Sequence, residues 1–267
     1  LQAARSSYSV NKSMEQSMER LASGKRINSA SDDAAGLAIA TRLNAEINGI
    51  HQAVRNASDA QGMLGVAEGA LEQVHALLLR MRELAVQSAN ETVAAADRDM
   101  LQTEVAQLET EIQRIVDDTT WAGITLLAGG FTTGATFQIG PRNSDTIQIS
   151  ISAIEPLSTV ADGGLNLNNH VSTQDNAGTY IGVIDGAISI ISADRATYGA
   201  VMNRLDHAMA NLQNVATNLS VAKGRIEDAD FAAESSNLAR TQVLQQASMA
   251  MLAQANASKQ NILSLFQ

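Results

Sequence analysis

Apolar residues recur at alternating intervals of three and four along two long stretches of the chain. These stretches cover residues 64–85 and 201–226. Such a/d spacing, held for three heptads or more, is typical of helices that pack side by side as in a coiled coil. The prolines, Pro141 and Pro156, both lie between the two stretches, so no helix-breaking residue interrupts either repeat. The spacing predicts a mainly α fold of long, antiparallel, coiled-coil-like helices.

The composition excludes several classes of protein. Hydrophobic residues make up 45% of the 267-residue chain but aromatic residues only 3%, which suits narrow helix–helix contacts better than a large globular core. A net charge of −10 without a basic patch argues against a nucleic-acid partner. No apolar run approaches the length of a membrane span, and no cleavable signal peptide opens the chain. The sequence therefore predicts a protein without nucleic-acid binding or membrane insertion.

Catalytic chemistry has no recognisable residue pattern in this sequence. The four histidines are scattered without metal-ligand spacing, and cysteine is absent. No nucleophile motif or glycine-rich phosphate loop is found. We predict that the protein is not an enzyme and has no catalytic residues, metal or cofactor.

Each end of the chain carries a shorter helical pattern, separated from the long repeats by a polar break. Val10, Met14 and Leu21 form an apolar stripe that stops before Gly24. A second polar break covers residues 223–230, and we expect it to run beside the first. Apolar residues then continue to the end of the chain, among them Leu244, Met251, Ile262 and Leu265. A helix pair this narrow is marginal alone, so we expect the ends to order against other copies of the molecule.

The middle of the chain changes from helical spacing to strict alternation. Residues 135–152 alternate apolar and polar side chains around a turn, which predicts a small β-hairpin. Residues 156–179 are rich in Gly, Asn, Ser, Thr and Asp, and we interpret them as a short, variable surface loop.

Several of these stretches resemble bacterial flagellin. They are "ERLASGKRINSASDDAAGLAIATRL" from residue 19, "MRELAVQSANET" from residue 81, and the C-terminal sequence that begins "KGRIEDADFAAESSNLAR" and ends "NILSLFQ". The motifs occur in the family's order and the resemblance covers residues 8–130 and 180–267. It implies a structural subunit that self-assembles into the flagellar filament for swimming motility.

The resemblance also implies an arrangement of domains. Residues 1–33 and 228–267 would form D0, the terminal helices of the filament's inner tube. Residues 34–227 would form D1, a helical bundle that includes the hairpin and the short loop. The start of the chain is shorter than is usual in the family, so the extreme N-terminus is expected to be missing.

Partners and location follow from the same resemblance. The subunit would form a helical homopolymer, with an export chaperone, a cap protein and hook-junction proteins as partners. It would be exported without a cleavable signal peptide and end outside the cell in the flagellum. An animal Toll-like receptor for flagellin is a further candidate partner.

Three groups of candidate site residues result. The assembly residues are the apolar terminal positions Val10, Met14, Leu21, Leu244, Met251, Ile262 and Leu265. The residues of the spoke, by which we mean segments 24–33 and 223–230 between D0 and D1, are Arg26, Asn28, Asp32, Asp33, Arg225 and Asp228. The resemblance places receptor contacts at Arg80, Leu84 and Glu104, although packing and inter-subunit contact explain these three residues as well.

Two other functions fit the sequence. One is a flagellin-derived cell-surface adhesin that binds glycans through the loop 156–179 and the hairpin. The other is a hook–filament junction protein of the same architecture. For Arg26, the sequence leaves open whether its partner is Asp228 or Asp230 of the same chain or a carboxylate of a neighbouring subunit.

Overall fold

The computed structural model describes residues 2–154, 165, 167 and 171–264, with side chains described for 5–154, 165, 167, 171–254 and 257. Long helices account for most of this chain, as the apolar repeat predicts. Their bounds are α1 Gln2–Ser23, α2 Ala34–Ser88, α3 Ala95–Asp118, α4 Gln174–Glu227 and α5 Phe231–Ser264. The mainly α fold class is therefore confirmed.

The described residues between α3 and α4 include four short strands. Strands β1 (Thr120–Trp121) and β2 (Ile124–Thr125) pair antiparallel, and a π-helical turn at Leu126–Gly130 follows. Strands β3 (Ala135–Gln138) and β4 (Thr146–Ile149) form the second antiparallel pair. This pair is the predicted hairpin, with Phe137 opposite Ile147 in its register.

The chain divides into two compact units. The terminal unit comprises residues 1–48 and 215–267, and the central unit comprises residues 49–214. Both α2 and α4 contribute residues to each unit. The division differs from the D0 and D1 boundaries expected from the resemblance, because it assigns the first part of α2 and the last part of α4 to the terminal unit.

The core of the central unit is built by the heptad positions. Leu64, Leu71 and Leu78 of α2 are fully buried, as are Ile184 and Ile191 of α4. Ion pairs cross between α2 and α4 along the edge of this core, from Arg82 to Asp185 and from Glu68 to Arg195. Apolar burial thus supplies most of the stabilisation, whereas the exposed Arg82–Asp185 pair contributes little to it.

At the residues that the structure describes, the range expected to be a surface loop is partly helical and partly buried. Helix α4 begins at Gln174, inside that range. Leu165, Leu167 and Val171 are buried in the core of the central unit, so the prediction of a surface loop is wrong at these positions. Composition is an average over the whole segment, and here Gly and Asn dominate it. It therefore did not indicate that these three apolar residues are buried. Residues 156–164, 166 and 168–170 of the loop lie outside the described residues.

Candidate assembly interface

The terminal unit is organised around the pairing of α1 with α5. On α1, Val10, Met14 and Leu21 are half-buried and Ser17 is buried, whereas the residues between them are mostly exposed. These four positions step by four, three and four residues, so they share one face of the helix. The predicted stripe of α1 is thus the side that packs within the chain.

Helix α5 uses a different face from the one that its apolar residues indicate. Among its described side chains, Glu234 is buried, and the half-buried ones are Asn237, Leu238, Thr241, Gln245, Ser248 and Leu252. From Leu238 onward these residues step by three and four, but four of the six half-buried ones are polar. The amide of Gln245 donates a hydrogen bond to Asn11 Oδ1 of α1 over 2.9 Å. Apolar spacing could not reveal this face, because polar side chains occupy much of it.

The predicted assembly residues of α5 lie on its outer side. Leu244 is 46% exposed and Met251 is 68% exposed. At 100° per residue, Val243, Leu244, Ala247 and Met251 fall within one sector, turned away from the half-buried positions. We call these four residues the open face of α5. Ile262 belongs to α5 but its side chain, like all of Leu265, lies outside the described residues.

The first segment of the spoke is built from local backbone and side-chain signals. Gly24 has a positive φ of 73° and its N–H donates to the Arg20 carbonyl, which ends α1 as the sequence predicts. Asp33 accepts a hydrogen bond from the Gly36 N–H over 2.8 Å and so caps α2. Asp32 accepts the backbone N–H groups of Ser29 and Asn28, and these bonds, Ser29 first, lower the pKa of Asp32.

The two segments of the spoke run beside each other, as predicted. Lys25 and Asp228 form an antiparallel bridge. The Arg26 N–H donates to the Glu227 carbonyl over 2.6 Å, and the Ala229 N–H donates to the Gly24 carbonyl over 2.9 Å. This bridge fixes the end of α1 against the end of α4.

Among the residues that the structure describes, the side chain of Arg26 is bonded to a backbone carbonyl and not to a carboxylate. Its Nη2 donates to the Ile226 carbonyl over 2.7 Å. The ion pair that joins the two segments of the spoke is instead Lys25 with Glu227, at 2.5 Å between Nζ and Oε1. Glu227 is buried, and hydrogen bonding to Lys25 lowers its pKa despite burial.

Sequence reasoning missed the Lys25–Glu227 pair. The available signal was the occurrence of opposite charges, Lys25 and Glu227, in two breaks expected to run side by side. Of the remaining predicted residues of the spoke, Asn28 is half-buried, whereas Arg225 and the Asp228 side chain are exposed.

The three residues placed by the receptor resemblance lie in the central unit. Arg80 of α2 donates from Nε to Glu104 Oε1 of α3 over 2.9 Å, and also bonds to Glu83. These carboxylates, Glu104 first, raise the pKa of Arg80. Leu84 is only 1% exposed. The structure therefore brings Arg80 and Glu104 together at the surface but places the Leu84 side chain in the core.

Across the residues that the structure describes, no group of three or more His, Cys, Asp or Glu side chains is arranged to hold a metal ion. Within the same residues, no helix has a segment that is both long and apolar enough to cross a bilayer.

The protein consists of long paired helices, with a bridged junction between helix ends and an open apolar face on α5. These features are those of a structural protein built for helix packing. The family profile described as the bacterial flagellin N-terminal helical region matches residues 1–132, and the one described as the C-terminal helical region matches residues 181–266. The chain belongs to the bacterial flagellin family.

Individual relatives agree with this assignment. The flagellin of Halalkalibacterium halodurans is 42% identical over 95% of this chain and 92% of its own length. The flagellar filament 33 kDa core protein of Treponema phagedenis is 36% identical over 99% of this chain and 96% of its own. The crystal structure of Bacillus cereus flagellin is similar with a TM-score of 0.52 and 34% identity, over 63% of this chain and 94% of that one. This chain is a structural subunit of the bacterial flagellar filament.

Proposed function

We propose that this subunit assembles into the filament through its terminal helix pair, with the open face of α5 as the principal contact between copies. The observation that carries the proposal is the exposure of Val243, Leu244 and Met251 on one side of a helix whose other side is already packed on α1. Burying a large apolar side chain stabilises an interface by roughly 1.5–3 kcal/mol. Three such side chains per subunit, repeated along a polymer, supply a cooperative driving force.

In this proposal the terminal pair corresponds to D0 and the central unit to most of D1. The Lys25–Glu227 pair and the backbone bridge to Asp228 hold the spoke in one conformation within a subunit. A fixed spoke lets neighbouring copies meet with the same geometry each time, which a helical polymer requires. Torque applied at one end would then pass along the polymer through these contacts.

The remaining partners are proposals from the family resemblance. An export chaperone would bind the C-terminal helix before export, which accords with the apolar residues that α5 exposes. A cap protein and hook-junction proteins would contact the ends of the polymer. Export without a cleavable signal peptide would deliver the subunit to the extracellular filament.

Contact with the animal Toll-like receptor for flagellin would fall on Arg80 and Glu104. Both side chains are nearly half-exposed, at 47% and 43%. Leu84 would act by holding this part of α2 in place, since its side chain is buried.

The assembly proposal is tested by a triple substitution in the full chain, with Val243, Leu244 and Met251 each changed to Ser. We expect the monomer to keep its helix content, because these side chains are exposed, and to lose the ability to form sedimentable filaments. The matched control changes three exposed polar residues of the same helix, Gln242, Gln246 and Gln254, to Ser. If the triple variant formed filaments at the same critical concentration as the wild type, the principal contact between copies would lie elsewhere than on the open face of α5.

Within the described part of the chain, the adhesin and junction alternatives have no feature of comparable weight. Purified monomer that bound polysaccharide only when the loop 156–179 was present would favour the adhesin. A trace abundance in sheared filaments would favour the junction protein.

A further inference from the structure

The nine methionines of the chain differ widely in exposure. Met63 and Met81 are at most 1% exposed, in the core of the central unit. Four others are more than half-exposed, namely Met18, Met100, Met249 and Met251. Two of these four, Met249 and Met251, lie two residues apart on α5, and a third lies on α1. Exposed thioethers are therefore concentrated on the terminal helix pair.

Met251 is the exposed methionine that belongs to the open face of α5. Its neighbours along that face are Ala247 and Leu244, four and seven residues earlier, so the three side chains share one side of the helix. Met249 is not among them, because two steps of 100° place it about 160° around the helix from Met251. The two methionines thus have similar exposure, 54% and 68%, but only Met251 lies on the proposed contact between copies.

Exposure decides which methionines react with an oxidant, because the oxidant must reach the sulfur atom. Hydrogen peroxide transfers one oxygen atom to the thioether: an S–O bond forms as the O–O bond breaks. Sulfur loses two electrons, and the other peroxide oxygen leaves as hydroxide and takes the proton of the transferred hydroxyl group to form water. The product, methionine sulfoxide, is a polar side chain in place of a flexible apolar one.

We propose that Met251 is an oxidation site that controls assembly: peroxide converts it to the sulfoxide in the free subunit, and the sulfoxide blocks the contact between copies. The proposal rests on the assembly function of the open face set out above. The side chains beside Met251 on that face, Leu244 and Ala247, carry no hydrogen-bond donor. A sulfoxide oxygen buried against a second copy of such a face has no partner, which opposes the contact.

Assembly protects the same residue from the oxidant. A second copy that covers the open face removes the Met251 thioether from solvent, so the assembled form resists peroxide while the free subunit is sensitive. Methionine sulfoxide reductases return the sulfoxide to the thioether. The modification is therefore reversible and acts before the subunit is incorporated.

Assembly of the full-length protein after limited peroxide treatment tests this proposal. Peptide mass spectrometry gives the extent of oxidation at each methionine, and the peroxide dose is kept below the level that oxidises the buried Met63 and Met81. Helix content is checked by circular dichroism. We expect the critical concentration for assembly to rise about tenfold when Met251 is fully oxidised, the effect of one unpaired buried acceptor per subunit. Repair by the reductases should restore the untreated value.

Met251→Leu and Met249→Leu form a matched pair of variants. Leucine conserves the volume and apolar character of methionine, so both variants should assemble like the wild type before treatment. After peroxide, Met251→Leu should keep its critical concentration, whereas that of Met249→Leu should rise as in the wild type. A rise of wild-type size in Met251→Leu, or protection by Met249→Leu, would overturn the proposal.

A further variant separates failure of this proposal from failure of the assembly proposal. Val243→Ser combined with Leu244→Ser perturbs the open face and leaves Met251 in place. If this variant did not assemble while oxidation of Met251 left assembly unchanged, the open face would stand as the contact and the oxidation site would be rejected. If the variant and the oxidised wild type both assembled at the untreated critical concentration, both proposals would be rejected.

Discussion

Replacing Gly36 by Ala should destabilise the terminal unit, although Ala is normally the better helix former. A Cβ at position 36 would lie 2.5 Å from Asp33 Oδ2 and 2.7 Å from the Cδ1 atom of Ile27. Asp33 caps α2 through the Gly36 N–H, and Ile27 is only 2% exposed. The new methyl group must therefore displace both the cap and a buried side chain of the spoke.

The magnitude follows from three contributions. Ala in place of Gly stabilises a helix by up to about 1 kcal/mol. Displacing the cap costs about 1 kcal/mol, and crowding Ile27 costs about 1–3 kcal/mol. We expect a net loss of about 1–3 kcal/mol in the free energy of unfolding of the terminal unit.

The control is the same substitution in the same helix at Gly65, where a Cβ meets no atom within 4 Å. Gly65→Ala should stabilise the monomer by about 0.5–1 kcal/mol. Urea unfolding followed by circular dichroism gives the two midpoints, and hydrogen exchange locates each change to its unit. If both variants shifted the midpoint in the same direction, the steric argument at Gly36 would be refuted.

Three further predictions address the spoke, the core and the receptor contact. The pKa of Glu227 is lowered from 4.5, so the stability that this carboxylate contributes is present above pH 4.5 and is lost as pH falls through its pKa in the folded state. Hydrogen-exchange protection of residues 24–30 should therefore fall as pH drops below 4.5. Glu227→Gln should remove this acid dependence and lower the protection at neutral pH. Leu78→Ala empties a fully buried heptad position and should cost about 2–5 kcal/mol by urea unfolding, whereas a change near zero would show that position 78 is not in a packed core. Arg80→Ala breaks only exposed ion pairs, so the urea midpoint should stay unchanged while the response of receptor-bearing reporter cells falls; an unchanged response would remove Arg80 from the proposed contact.

The sequence predicted the helices well because each carries its own periodic signal. Gly24 and Asp33 mark the end of α1 and the start of α2 by local chemistry that needs no tertiary partner. The hairpin was predictable for the same reason, since alternation and turn residues act over a few positions. The surface loop was less predictable, because Leu165 and Leu167 are isolated apolar residues whose burial depends on the core that receives them.

The terminal helix pair shows which features the sequence determines and which depend on the tertiary structure. The sequence by itself determined that the terminal helices exist, that they carry apolar stripes and that two polar breaks adjoin them. Only the tertiary structure decided that α5 packs on α1 through a partly polar face and leaves Leu244 and Met251 open. Likewise, only the fold brought Lys25 to Glu227 across about two hundred residues of chain. The physical reason is that periodicity records which side chains avoid water, whereas the partner that shields them is fixed by the packing of distant segments.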